Sequence, residues 1–388
     1  MSYILSPSGD PLAFLAEQAE APWKETLRWV TDIMPGRTGT EQRLQLRTVP
    51  QRSFAAQMSV PHTRTQDAFN TIWGALALAW AAPLWHDAQY IGDLAAGTDT
   101  LTVDTAHADW YAGGQVLLWA PSGTWTYATV QTVGSGSLTL TAPTEVAIAG
   151  CSVVPIRPAR LTGTPQMRTT GFGAAWSLTY ELTENAAHNG AAPDQFLGED
   201  VDWGEVLFDS GGLNITMTPQ LDRVDYDVGN AVVTTPWTYN RTARLLQRIA
   251  ETPAEAWAMR QWLHRRAGKY RAFWQPSWEA DLLLTSTGAL GSTIQVRDSS
   301  RFAWAQKRTH LAVLTRSGTW LPRTVETITQ VSDGIVELGL SSSLAINAAE
   351  VDRISNLGLR RLDTDSVDLN WVGNGVATMS AMTVEIQP

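Results

Sequence analysis

Two tryptophan-bearing segments a fixed distance apart constrain this chain more than any other feature. Residues 80–88 read WAAPLWHDA and residues 272–281 read AFWQPSWEAD, so Pro83 and Trp85 align with Pro276 and Trp278 at a separation of 193. The match continues in register, with Thr100, Leu101 and Val103 falling on Thr293, Ile294 and Val296. Gly123-Thr124-Trp125 recurs as Gly318-Thr319-Trp320 and Thr129-Val130 as Thr324-Val325, both 195 apart, and Arg160-Leu161 recurs as Arg361-Leu362, 201 apart. Small gaps that accumulate in turns while strands keep their register are what two diverged copies of one fold leave behind. The chain therefore reads as a tandem duplication.

A chain of 388 residues has room for two copies of a compound unit, each with its own core. Hydrophobic residues make up 44% and charged residues 17%, a globular balance. The formal charge of −10 argues against specific nucleic-acid binding through phosphates and suits a surface past which DNA slides without sticking. A single cysteine, Cys151, rules out an internal disulfide and a Cys-rich metal site, and reads as a small buried residue before a strand. The opening MSYILSPSGDPLAF lacks the basic-then-apolar pattern of a secretory signal, and no stretch has the ~18 uncharged apolar residues of a membrane span. Eighteen tryptophans outnumber phenylalanine and tyrosine together. Each indole N–H needs a partner when buried, and tryptophan is favoured at interface centres, so some of these side chains are expected at protein contacts.

Taken in order, residues 1–22, with Pro7, Pro11 and Pro22, read as an N-terminal arm. Repeat 1 spans 23–183, a linker 184–195, and repeat 2 196–388. Alternation in TLRWVTDI predicts a strand between Trp23 and Ile33, and further strand follows from Gln45 to Val60, broken at Pro50. Thr65 opens a helix whose apolar stripe runs through Phe69, Ile72, Trp73, Leu76, Ala77 and Trp80, with Pro83 ending it. The second helix is better marked: Thr252 caps it, Pro253 takes the first turn, Glu255 completes a capping box, Gly268 stops it, and its stripe includes Met259, Trp262 and Leu263. After each Pro-x-Trp segment come short strands separated by Gly-rich turns, predicting an inserted antiparallel β-barrel or sandwich over 91–160 and again over 284–358. Each repeat closes on an alternating strand, AWSLTYEL and ATMSAMTVEI. The fold class expected is mainly β, a β-rich α+β chain in which a sheet-plus-helix unit is duplicated, each copy carrying the inserted module.

The chain carries no GxxxxGK[ST], HExxH, CxxC or GxSxG motif, so no catalytic residues, cofactor or metal site are expected. His86-Asp87 follows the first Pro-x-Trp, but Glu279-Ala280 stands there in the second copy, the variation of a packed corner. The acidic run from Glu199 to Glu205 lacks the spacing of a calcium loop and reads as a solvated linker face. The basic cluster Arg260, His264, Arg265, Arg266, Lys269 and Arg271 suits an interface with an acidic neighbour. The residues singled out for architecture or interfaces are Pro83, Trp85, Pro276 and Trp278 at the helix-to-barrel corner, with Trp73 and Trp262 on the preceding helices.

Four stretches carry a resemblance: WVTDI…GTEQRLQLRTVPQRSF, APLWHDA followed by AAGTDTLTVDT, RAGKYRAFWQPSWEADL, and NLGLRRLDTDSVDLNW. Across nearly its whole length the chain resembles structural proteins of siphophage tail tips and baseplates, relatives of distal tail and hub components. The resemblance implies a virion protein assembled in the host cytoplasm into rings. It would join the tail tube or distal tail protein to the baseplate hub and tail fibre proteins. A duplicated chain suggests a trimer presenting six quasi-equivalent units, with a hexamer as the alternative. From a different class, a Trp-rich carbohydrate-binding protein predicts that Trp119→Ala or Trp125→Ala weakens glycan binding by the 91–160 module. A cell-wall hydrolase would need a paired-carboxylate cleft, which the sequence does not mark.

Overall fold

The computed structural model describes residues 3–387 apart from 77, 172, 205, 206, 208–214, 219–221, 226, 228, 235–240 and 298–308. The protein is mainly β, with two α-helices and a large, chiefly antiparallel sheet. At its centre eight strands lie side by side. Their order is Gln166–Thr170, Gly173–Leu182, Gln51–Pro61, Ala19–Arg28, Ser366–Gly373, Val376–Glu385, Arg241–Ala250 and Ile215–Thr218. The first four come from the N-terminal half and the last four from the C-terminal half. They meet where Trp23 faces Trp371, Glu25 faces Leu369 and Leu27 faces Val367.

Alternation decides which side of this sheet is buried. Ala174, Trp176, Leu178, Tyr180 and Leu182 point inward from one closing strand, and Ala377, Met379 and Ala381 from the other. A one-residue slip would turn either set out to solvent, so the pattern fixes register. The helices α1 (Thr65–Ala75) and α2 (Pro253–Arg266) cover the buried face. In α2 the Thr252 hydroxyl accepts from the Glu255 N–H at 3.2 Å, the Glu255 carboxylate accepts from the Glu251 N–H at 2.8 Å, and the chain leaves through left-handed Ala267 and Gly268. That is the expected capped start and glycine stop.

The stripe expected on α1 is divided. The helix ends at Ala75, and Trp80 belongs to the next strand, Trp80–Pro83, with its indole N–H donating to the Ala75 carbonyl at 2.8 Å. Ala68, Thr71, Ile72 and Ala75 face the core, whereas Phe69 and Leu76 lie outside it and Trp73 is 73% exposed. Ala77 lies outside the described residues. The remaining stripe covers more of a helix surface than one sheet contact buries, and the small Ala68 and Ala75 set which side approaches the sheet.

Each Pro-x-Trp segment leads into a small β-module. In the first, strands Thr100–Thr102, Ser137–Leu140, Trp125–Gly134, Gln115–Trp119, Ile148–Leu161 and Gln89–Leu94 pair in that order around Leu101, Val116, Leu118, Val130, Leu138 and Val153. Cys151 lies within Ile148–Leu161 and is buried in the same core. The second module orders Thr293–Arg297, Ile335–Leu340, Trp320–Ser332, His310–Thr315 and Val351–Leu362, and its two borders are bridged by Leu284 to Val296 and Leu282 to Ile354. Gly123 and Gly318 both turn at φ +85°, a left-handed hairpin position where only glycine is unstrained. Neither module hangs on loops. Ile148–Leu161 runs on to pair with Trp80–Pro83 and Gly173–Leu182, and Val351–Leu362 with Phe273–Pro276 and Val376–Glu385.

At the corners, Pro83 faces Ile156 and Trp85 is buried edge-on against Trp119 at 5.3 Å. Pro276 faces Leu357, while half-buried Trp278, at φ +67°, meets Trp320 edge-on at 5.3 Å. Trp262 packs edge-on against Phe273, also at 5.3 Å. The N-terminal stretch is no free arm. Ile4, Leu12 and Phe14 are buried, Phe14 lies 5.0 Å from Trp125, and the Trp119 indole donates to the Ala16 carbonyl at 2.9 Å.

Trp85→Ala should lower the unfolding free energy by about 3–5 kcal/mol, the cost of emptying a buried aromatic site. Trp73→Ala should change it by no more than about 0.5 kcal/mol. Denaturant titration of both variants in dilute solution checks this; equal losses would mean that the outer face of α1 is packed within the chain.

Candidate functional site: the joint between the two halves

Where the halves meet, the sheet buries charge instead of only hydrocarbon. Glu25 comes from Ala19–Arg28, Arg52 from Gln51–Pro61, His86 and Asp87 from the turn after the first Pro-x-Trp, Asp109 from the first module, and Arg157 from Ile148–Leu161. The C-terminal half adds Arg260 and His264 from α2 and Trp371 from Ser366–Gly373, and the connecting segment adds His188. All but His188 are more than nine-tenths buried.

The contacts form one network. Arg52 donates from Nε to Glu25 at 2.9 Å and from Nη1 to Asp109 at 2.6 Å, and Arg157 donates to the other Asp109 oxygen. Arg260 donates from Nη1 to both Asp87 oxygens, at 2.9 and 3.1 Å, and its Nε lies 3.9 Å from Glu25. Asp87 also accepts the Asp109 N–H at 3.0 Å, and the Trp371 indole donates to Glu25 at 3.2 Å. Three carboxylates thus face three guanidiniums, a balanced set. Burial alone would raise the acids, but Arg52 and Arg260 hold Glu25 below its ordinary range, and Arg52 and Arg157 hold Asp109 well below it.

The three histidines are kept neutral. His86 is stacked between Phe54, 5.4 Å away, and Trp371, 4.3 Å away, and neither ring nitrogen has a hydrogen-bond partner. Burial drives its pKa to about 3. His188 donates its backbone N–H to His264 Nδ1 at 3.2 Å and lies 3.3 Å from Asp109; burial takes His188 to about 4 and His264 to about 2.

The sequence-predicted residues divide around this joint. Trp85 belongs to the hydrophobic cluster that surrounds it, half-buried Trp262 and Trp278 pack against that cluster, and Trp73 takes no part. The basic cluster on α2 does meet acidic neighbours, but in its own chain: Arg260 binds Asp87, and Arg265 and Arg266 both bind Asp200. The acidic run is accordingly not a solvated face. Asp200 and Asp202 are buried, Asp202 accepts from Arg248 and Gln275, and Glu205 lies outside the described residues. Sequence reasoning missed the network because its members are spread from residue 25 to residue 371. The local signals were the exchange of His86-Asp87 for Glu279-Ala280 between the aligned motifs and the basic cluster that includes Arg260 and His264.

Among the described residues, no group of three or more His, Cys, Asp or Glu side chains is arranged to hold a metal ion. What the arrangement does is hold the two halves of the sheet together in one register. The chain matches no protein-family model and no curated protein.

Two predictions concern the joint. Arg260→Met should destabilise the chain by about 3–5 kcal/mol in denaturant titration, because Asp87 is left buried and unpaired. A histidine whose folded pKa lies below its unfolded ~6.5 costs stability as pH falls, since the unfolded chain takes up the proton first. The urea midpoint should therefore drop from pH 6.5 toward pH 4, and His86→Phe, which keeps the stack, should flatten that drop. An unchanged slope in the variant would remove His86 from the account.

Proposed function

We propose that this protein is a non-catalytic, ring-forming component of a bacteriophage tail tip or baseplate, joining the tail tube to the distal hub and receptor-binding proteins. The observation that carries the ring is the pairing of Ala19–Arg28 with Ser366–Gly373, together with the two borders left over. Among the described residues, Gln166–Thr170 and Ile215–Thr218 each pair with one neighbour only. In the order of pairing, Gln166–Thr170 stands in the N-terminal half where Ser366–Gly373 stands in the C-terminal half, and Ile215–Thr218 stands where Ala19–Arg28 does. The internal joint is therefore a template for joining one chain to the next.

The same correspondence supports the duplication. In both halves a closing strand pairs with the strand before the helix, the helix leads into a short Pro-containing strand, and one long strand links module to sheet. Head-to-tail contacts of this kind close into rings when the rotation permits. With two units per chain, three chains make a pseudo-six-fold ring suited to a six-fold tube above and a three-fold tip below. The tail assignment rests on the sequence resemblance, and the acidic charge of −10 fits a channel wall that DNA must not grip. Trp119 and Trp125, the side chains a sugar platform would need, pack against Trp85 and Phe14 instead.

Imaging intact tails without imposed symmetry tests the reading. Three copies at the tip, each contributing two similar units, is the expected result. Six copies would replace the trimer by a plain hexameric ring, and absence from the particle would end the tail assignment.

A further inference from the structure

We propose that the ring closes through an apolar counterpart of the buried ionic joint, with Ile215 and Met217 of one copy seated against Met167, Phe69 and Trp73 of the next. The inference rests on the ring reading above and adds which side chains meet. Register supplies the correspondence. Leu161 faces Tyr180 in one half and Leu362 faces Thr383 in the other, so with Leu161 matched to Leu362, Tyr180 matches Thr383. Tyr180 faces Phe54, which faces Glu25; Thr383 faces Arg244, which faces Ile215. Ile215 thus occupies the place of Glu25, and Met217 that of Leu27. On the other border Met167 faces Trp176 as Leu369 faces Met379, four residues before the matched pair in each strand. Glu25 faces Leu369 within the chain, so Ile215 should face Met167 between chains.

The helices extend the match. Aligning the core-facing Ala68, Ile72 and Ala75 of α1 with Met259, Leu263 and Arg266 of α2 puts Phe69 at the place of Arg260 and Trp73 at that of His264. Arg260 and His264 are covered by the N-terminal half of their own chain, through Asp87 and Glu25 and through Trp29. Their counterparts are bare. Ile215 is 52% exposed, Met217 69%, Met167 38%, Phe69 37% and Trp73 73%. The patch is continuous with the Gln166–Thr170 border, because Phe69 lies 6.4 Å from Trp176, the strand partner of Met167. Asp87 has Ala280 as its counterpart, so the place that would carry the anion is apolar too.

The exchange holds for the three charged places Glu25, Arg260 and Asp87, which become Ile215, Phe69 and Ala280. Where one joint sets a carboxylate beside a guanidinium, the other sets isoleucine beside phenylalanine. Swapping partners would bury Glu25 or Arg260 against hydrocarbon with no counter-charge, which is strongly unfavourable. The two joints therefore exclude each other's partners, and chains add in one polarity only.

The test is a cross-link in the full-length protein. With Ile215→Cys and Met167→Cys combined, mild oxidation should give covalent multi-chain species that neither single variant gives. The two positions lie on opposite borders of one chain's sheet, and native Cys151 is buried, so the bond forms between chains. Trp73→Glu should raise the dissociation constant for assembly by roughly tenfold or more, with the melting of the dilute chain unchanged. An oligomer of native mass that forms no 215–167 cross-link would overturn this joint while leaving the ring. A chain that stays monomeric at every concentration would overturn the ring and the joint together.

Discussion

The pairing of Ala19–Arg28 with Ser366–Gly373 is the interaction on which the rest of the structure depends. It brings together residues more than three hundred positions apart and turns two four-stranded units into one sheet. Backbone hydrogen bonds alone would leave its polarity and register open to error. The network of Glu25, Arg52, Asp87, Asp109, Arg157 and Arg260 removes that freedom, because each charge is satisfied only in one arrangement. Buried ion pairs contribute little net stability against a hydrophobic alternative, and their clearest use is in specifying one partner over others. Here they specify which half meets which.

Rigidity is carried outward by shared strands. Ile148–Leu161 and Val351–Leu362 each belong to a module core at one end and to the main sheet at the other. A module joined in this way cannot swing as a loop-tethered domain would. The Pro-x-Trp corners stiffen the same junctions by different means. Trp85 fills a buried site against Trp119, whereas half-buried Trp278 is held in a left-handed backbone conformation and meets Trp320 edge-on. The motif is repeated, but its energetics are not.

Much of this was legible from residue patterns. The Gly-Thr-Trp hairpins, the alternating closing strands and the capped second helix are local features, and period, capping and turn chemistry read them directly. Trp73 shares the periodic stripe of α1 yet faces outward, because helical periodicity reports which residues could share a face, not how wide a face the sheet will cover. The N-terminal stretch looked like a loose arm because its prolines break any regular pattern, yet Phe14 and Ile4 are among the most buried side chains. Asp200 and Asp202 looked solvated because a run of acids normally is; their arginine partners lie over forty residues away.

The sequence by itself determined a β-rich chain with two helices and no recognisable catalytic motif, because each of those properties is written in spacing over a few to a few tens of residues. Only the tertiary structure decided which charged side chains are buried together, which aromatic side chains are left bare, and, among the described residues, which strands pair on one side only. Those depend on long-range pairing. Contacts between residues such as Glu25 and Arg260, far apart in the chain, arise only when the sheet closes across the two halves.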